Sequence, residues 1–125
     1  MKFPVIVALL AVLVAGGIGG GIWYVNSQPG PLDGFASCLG EKGAKFYGAF
    51  WCPHCANQKK LFGRSAKKLP YIECGVAGNT SAQTQICTDA EVKNYPTWTF
   101  ADDSRLTGEI SLSELSEKTS CALPQ

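Results

Sequence analysis

Residues 46–55 read Phe46-Tyr47-Gly48-Ala49-Phe50-Trp51-Cys52-Pro53-His54-Cys55. The first half is aromatic and predicts a strand over Ala44 to Phe50. Pro53 suits the first position of a helix, where its missing N–H costs nothing. A helix is therefore expected from Cys52 to Leu69, with Leu61, Phe62, Ala66 and Leu69 as its apolar face. Lys59, Lys60, Arg64, Lys67 and Lys68 fall mostly on the other side. Cysteines three apart on a helix share a face and can bridge. At the helix start, unpaired N–H groups and the dipole stabilise a thiolate. Such settings lower a thiol pKa from ~8.5 to ~3.5–7.5. Cys52 is thus expected to be the exposed nucleophile and Cys55 the resolving thiol. Pro53 fixes the backbone between them. His54 can set positive charge beside Cys52, which favours the reduced form and makes the disulfide more oxidising. Trp51 should cover one side of the site.

Upstream, Phe3 to Val25 is a run of 23 residues with no charge. About 20 apolar residues suffice for a helix to cross a bilayer. Trp23 and Tyr24 end it, where aromatic side chains suit the headgroup region. A cleaved signal peptide is the rival reading, but its apolar core is shorter, ~7–15 residues. Lys2 on the N-terminal side favours a cytoplasmic N-terminus and an extracytoplasmic domain. The expected division is an anchor at 1–25, a Pro- and Gly-containing linker at 26–31, and a folded domain at 32–125. Gly16, Gly17, Gly20 and Gly21 give small-x-x-x-small spacings that let anchors pack closely, or only a flexible span.

The domain carries all six cysteines, usual in an oxidising compartment and unusual in the cytosol. Net charge is +1, which gives no reason to expect nucleic acid. Downstream of the motif, Tyr71 to Cys74 predicts a strand and Gly75 to Ser81 a loop. Ser81 or Thr84 opens a helix ending near Asn94. Strands over Thr97 to Ala101 and Arg105 to Gly108 flank a turn at Asp102-Asp103. Ser111 or Ser113 caps a last helix to about Ser120. Before the motif, Asp33 can cap a helix over Phe35 to Glu41 that Gly43 stops. Alternating elements with a closing hairpin imply an α/β domain, a small mixed sheet covered by helices on both faces.

Two other uses of a Cys-x-x-Cys fit the sequence less well. A zinc site needs four ligands, and one His with no second Cys-x-x-Cys does not supply them. Met1 and His54 are the other soft or imidazole ligands, which argues against copper transfer. No metal or cofactor is expected. A purely structural bridge fits poorly with a helix start where the thiol is accessible. Tyr95-Pro96-Thr97 stands about 40 residues on. A cis Pro96 would bring its loop against Cys52 and offer backbone groups to an extended peptide; a trans turn proline is the alternative.

These residues resemble the thioredoxin fold over roughly Leu32 to Cys121. Cys-Pro-His-Cys is similar to DsbA-type oxidants. The match is closer to the thioredoxin-like domain of bacterial vitamin K epoxide reductase homologues. It rests on Phe35-Ala36-x-Cys38-Leu39, Glu41-Lys42-Gly43-Ala44, Tyr47 to Cys55, Leu61-Phe62-Gly63, Pro70-Tyr71-Ile72-Glu73-Cys74 and Tyr95-Pro96-Thr97-Trp98. The resemblance implies a short four-stranded mixed sheet, here after one N-terminal transmembrane helix. It implies catalysis by Cys52 and Cys55 with Pro53 and His54, and substrate contacts by Trp51, Tyr95, Pro96 and Thr97. It implies electrons taken from exported proteins with thiols and passed to a membrane-embedded, quinone-linked oxidoreductase. With one span and not the fused four-helix domain, the partner is left open between a separate vitamin K epoxide reductase homologue, another membrane oxidase and a supplier of reductant. Six residues before Cys52, where thioredoxin and DsbA keep an acid, stands Phe46.

In the resembled domains a cysteine pair stands at the spacing of Cys74 and Cys87, which implies a structural bridge; a second redox pair is the alternative. Cys38 and Cys121 then bridge each other, stay free, or contact the membrane partner. The basic stripe is a solvated face or a contact for anionic headgroups. The overall expectation is an enzyme, a membrane-anchored protein thiol–disulfide oxidoreductase. The alternatives are a tethered reductase or isomerase, and a non-catalytic metal-binding or assembly module.

Overall fold

A computed structural model describes residues 2–125. Met1, named above as a soft ligand and as the start of the anchor, lies outside the described residues. Helix α1 spans Lys2–Ser27, two residues into the stretch read as linker. At 1.5 Å per residue its 26 residues extend ~39 Å, longer than the ~30 Å hydrocarbon core. It is long and apolar enough to cross a membrane, and none of it is buried against the rest of the chain.

The domain follows as α2 (Asp33–Glu41), β1 (Lys45–Gly48), α3 (Pro53–Lys60), a 3-10 helix (Gly63–Lys68) and β2 (Tyr71–Glu73). Then come β3 (Gly75–Val76), β4 (Asn79–Gln83), α4 (Gln85–Asp89), β5 (Thr97–Thr99), β6 (Arg105–Thr107) and α5 (Leu112–Thr119). The main sheet has the order β2-β1-β5-β6. β1 and β2 run parallel; β1–β5 and β5–β6 are antiparallel.

Alternation along β1 sorts the core onto two faces. Phe46 enters a cluster with Phe35 and Leu39 of α2, Cys55 of α3, Phe62, Trp98 and Leu115 of α5. Tyr47 enters the other, with Cys74, Cys87 of α4 and Val92. A four-stranded mixed sheet with helices on both faces is the thioredoxin-like architecture expected from the sequence.

Several expected boundaries shift. The long helix after Cys52 does not run to Leu69. Gly63 takes φ +52, in the left-handed region that ends an α-helix, and the chain continues as the 3-10 helix. That turn leaves Leu61 exposed, although it was read as apolar face, while Phe62 and Leu69 are buried. It also brings Ser65 inward, where its Oγ accepts from Leu32 N at 2.9 Å. Leu32, not Asp33, therefore holds the cap position of α2; Asp33 lies in the first turn.

The expected loop at 75–81 is a hairpin of β3 and β4, turned at Gly78 with φ +76. Its mostly polar strands carried no alternation to read. α4 ends at Asp89 rather than near Asn94, since Glu91 turns to φ 56. Thr84 precedes α4, but its hydroxyl donates to Glu73 O instead of capping. The hairpin strands of the main sheet are shorter than expected, ending at Thr99 and Thr107. Ser111, not Ser113, caps α5 by accepting from Glu114 N at 3.1 Å.

Gln58 of α3 is fully buried and locks the approach to α5. Its Nε2 donates to Ile110 O at 2.9 Å, and Ile110 N donates to its Oε1 at 2.7 Å. Gln58→Ala leaves both backbone groups unpaired in the core. The expected loss is about 2–4 kcal/mol, read by urea unfolding of the disulfide-intact chain. A loss under ~0.5 kcal/mol contradicts this role.

Candidate redox site

β1 ends at Gly48, and the chain turns so that Cys52 N donates to Ala49 O at 3.0 Å. Cys52 is the extended cap residue of α3, and Pro53 is its first helical residue. No side chain caps this helix start, so its first N–H groups have no side-chain partner. Cys52 and Cys55 are both free thiols.

Both are buried. Cys52 was expected to be exposed, yet only 6% of it is. The Tyr95-Pro96 peptide is cis, and Tyr95 O stands 3.8 Å from Cys52 Sγ. Trp51 packs edge-on against Tyr95 at 5.8 Å between ring centroids. Tyr95 in turn donates its hydroxyl to Gln83 Oε1 of β4, which ties the hairpin to this wall. Pro96 and Thr97 are buried; Thr97 Oγ1 donates to Asn94 O at 2.6 Å.

Cys55 lies deeper. Burial pushes its thiol up to about 12, with a further upward push from Cys52. Its pocket depends on Gly48. A Cβ there would sit 3.0 Å from Cys55 Sγ and 2.8 Å from the Tyr71 ring.

His54 is exposed and does not stand alone. Its Nδ1 contacts Glu109 Oε2 at 2.8 Å, and this hydrogen bond lowers the Glu109 carboxyl below its usual range. The side chain expected to act on Cys52 is therefore paired with a carboxylate 55 residues away. Phe46 is no acid substitute; it stacks on Trp98 at 4.8 Å in the core.

Sequence reading gave no role to Glu73. One carboxylate oxygen accepts from Phe50 N at 3.1 Å, Gly75 N at 3.2 Å and Tyr71 Oη at 3.0 Å. It thereby fixes the turn that leads into the motif. Phe50, expected as the strand's last residue, lies outside β1 and is exposed. Lys59 Nζ sits 3.5 Å above the Tyr71 ring. The sequence signal for this cluster is Pro70-Tyr71-Ile72-Glu73-Cys74, part of the family resemblance.

The other four cysteines are bonded as Cys38–Cys121, with Cα atoms 5.9 Å apart, and Cys74–Cys87, at 5.6 Å. Cys74 and Cys87 are fully buried, away from solvent thiols. Among the described residues no three His, Cys, Asp or Glu side chains group to hold a metal.

No family model matches the chain. It is 46% identical over 105 residues to the thiol-disulfide oxidoreductase LTO1 of Arabidopsis thaliana. The alignment covers 81% of this chain and 28% of that relative, so the chain spans less than a third of the relative's length. The chain is thus a homologue of part of a thiol–disulfide oxidoreductase.

Proposed function

We propose that this chain is a membrane-anchored protein thiol–disulfide oxidoreductase that oxidises exported proteins and hands the electrons to a quinone-linked membrane oxidoreductase. A vitamin K epoxide reductase homologue is the partner of choice, on the resemblance of residues 35–98. The observation that carries the reading is the Cys52–Cys55 pair at an uncapped helix start, walled by Trp51 and the Tyr95 carbonyl.

The cycle starts from the Cys52–Cys55 disulfide. A substrate thiolate attacks Cys52 Sγ, and the S–S bond breaks. Cys55 leaves as a thiolate and takes a proton, since its buried site favours the neutral thiol. A second substrate thiolate attacks the substrate sulfur of the mixed disulfide and releases Cys52 as the leaving thiolate. Two electrons now reside on the pair, and the substrate has gained one disulfide. The membrane partner removes those electrons and reforms the Cys52–Cys55 bond. In this reading the backbone at Tyr95-Pro96-Thr97 holds the substrate strand, with Trp51 as its apolar neighbour.

In this reading residues 1–25 anchor the chain, 26–31 link, and 32–125 form the redox domain. The N-terminus faces the cytoplasm and the redox domain the extracytoplasmic side. Cys38–Cys121 and Cys74–Cys87 are structural.

The pairing of His54 with Glu109 favours a second reading. A carboxylate at this end of the motif adds negative charge, which disfavours a thiolate pair and makes the couple less oxidising, which suits a tethered reductase or isomerase.

The direct test mixes the oxidised full chain, in detergent, with a reduced unfolded protein. About one disulfide per chain should appear in the substrate, and none with Cys52→Ser. No transfer from a fully oxidised chain contradicts the proposal.

A further inference from the structure

The segment linking anchor to domain is clamped, not loose. Gly30 is buried so tightly that a Cβ there would fall 2.2 Å from Ser65 Oγ and 2.7 Å from Ser65 N. Ser65 Oγ accepts from Leu32 N, Arg64 Nη2 reaches Pro29 O at 3.4 Å, and Lys67 Nζ reaches Asn26 O at 3.5 Å. The 3-10 helix thus sits against the end of α1.

This places charge at a defined depth. Trp23 and Tyr24 mark the membrane interface in the proposed span. Asn26 lies two to three residues on, about 3–5 Å further along the helix axis. Lys67 and Arg64, which touch the chain at Asn26 and Pro29, therefore fall within the headgroup layer, ~5–7 Å thick. Lys60 and Lys68, in the same segment as Arg64 and Lys67, are exposed with them, and no acidic residue lies between Cys52 and Pro70. The salt bridges among the described residues join His54 to Glu109 and Lys118 to Asp102, so these four cations have no carboxylate partner. Exposed Leu61 adds an apolar side chain to the same segment. A net charge of only +1 makes this local excess a feature of one face rather than of the whole chain.

We propose that the face formed by Lys60, Arg64, Lys67 and Lys68 docks on anionic phospholipid headgroups beside the emerging α1, fixing how the redox site is presented above the bilayer. The inference rests on the membrane span proposed above. Basic residues held within a Debye length of a negatively charged surface are attracted to it, and salt weakens the attraction.

The test uses the full chain in nanodiscs of phosphatidylcholine alone or with about a third phosphatidylglycerol. Lysine acetylation by an amine-reactive ester is read peptide by peptide. At ~0.05 M salt, labelling of Lys60, Lys67 and Lys68 should fall at least about threefold in the anionic discs and recover near 0.5 M salt. Exposed Lys45 and Lys93 should label equally in both. The triple variant Arg64→Gln, Lys67→Gln, Lys68→Gln should lose the lipid-dependent protection of Lys60. Equal labelling of the wild-type face in both discs, or full protection of Lys60 in the variant, overturns the docking alone. A chain that does not stay with the nanodiscs overturns the span and the docking with it.

Discussion

Cells producing the Cys55→Ala chain should accumulate it as mixed disulfides with exported proteins, at least about tenfold above wild type on non-reducing gels. Removing Cys55 removes the thiol that competes for the Cys52–substrate bond, so the adduct persists. Cys52→Ser should show no adducts at all, because Cys55 is 1% exposed and its thiol is pushed up to about 12. A variant lacking Cys55 that forms no adducts, or a Cys52→Ser chain that forms as many, contradicts the assigned roles. The same shift gives a pH dependence for the reduced chain. The folded state holds the Cys55 proton more tightly than the unfolded state, whose thiol titrates near ~8.5. This contribution to stability is complete below that pH and is lost as pH rises toward 12.

The largest expected loss of stability comes from the bridge that ties the C-terminus down. Cys38 and Cys121 enclose a sequence separation of 83, and Cys74 and Cys87 one of 13. By loop-closure entropy, the Cys38→Ala/Cys121→Ala chain should lose about 4.5 kcal/mol and the Cys74→Ala/Cys87→Ala chain about 3. Against a total of ~5–15 kcal/mol, the first loss removes at least about a third of the stability. Urea titration of both variants in detergent gives the comparison. A smaller loss at Cys38–Cys121 than at Cys74–Cys87 contradicts the ordering. Leu115, on the helix before Cys121, is fully buried in the same cluster as Leu39, so fraying of α5 should accompany the loss.

What the sequence showed best were local features. The aromatic strand, the proline at the start of α3, the capping serine of α5 and the closing hairpin all act within a few residues. The order of the main-sheet strands and the helices around them followed from these, and the four-stranded sheet from the family resemblance. What it hid were choices made by distant partners. Cys52 is covered by a loop 43 residues away, and His54 is paired by Glu109, 55 residues away. Gly63 sits in a stretch whose apolar spacing continues as a helix, and only the docking of Ser65 under Leu32 shows why the helix stops. The β3–β4 hairpin is polar and exposed on β4, so period-two alternation was absent. Glu73 was legible only as part of a matching motif; its three hydrogen bonds require the turn at Phe50 to be folded.

Those distant partners bear on the central claim. Burial of Cys52, Tyr95 O beside it and Glu109 against His54 all act on the reduced pair, and their sum is one number. The reduction potential of the Cys52–Cys55 couple, from equilibrating the full chain with glutathione buffers, measures it directly. An oxidant of exported proteins requires a value well above the roughly −270 mV of thioredoxin, toward the roughly −120 mV of DsbA. A value at or below roughly −270 mV contradicts the account and makes the chain a tethered reductant.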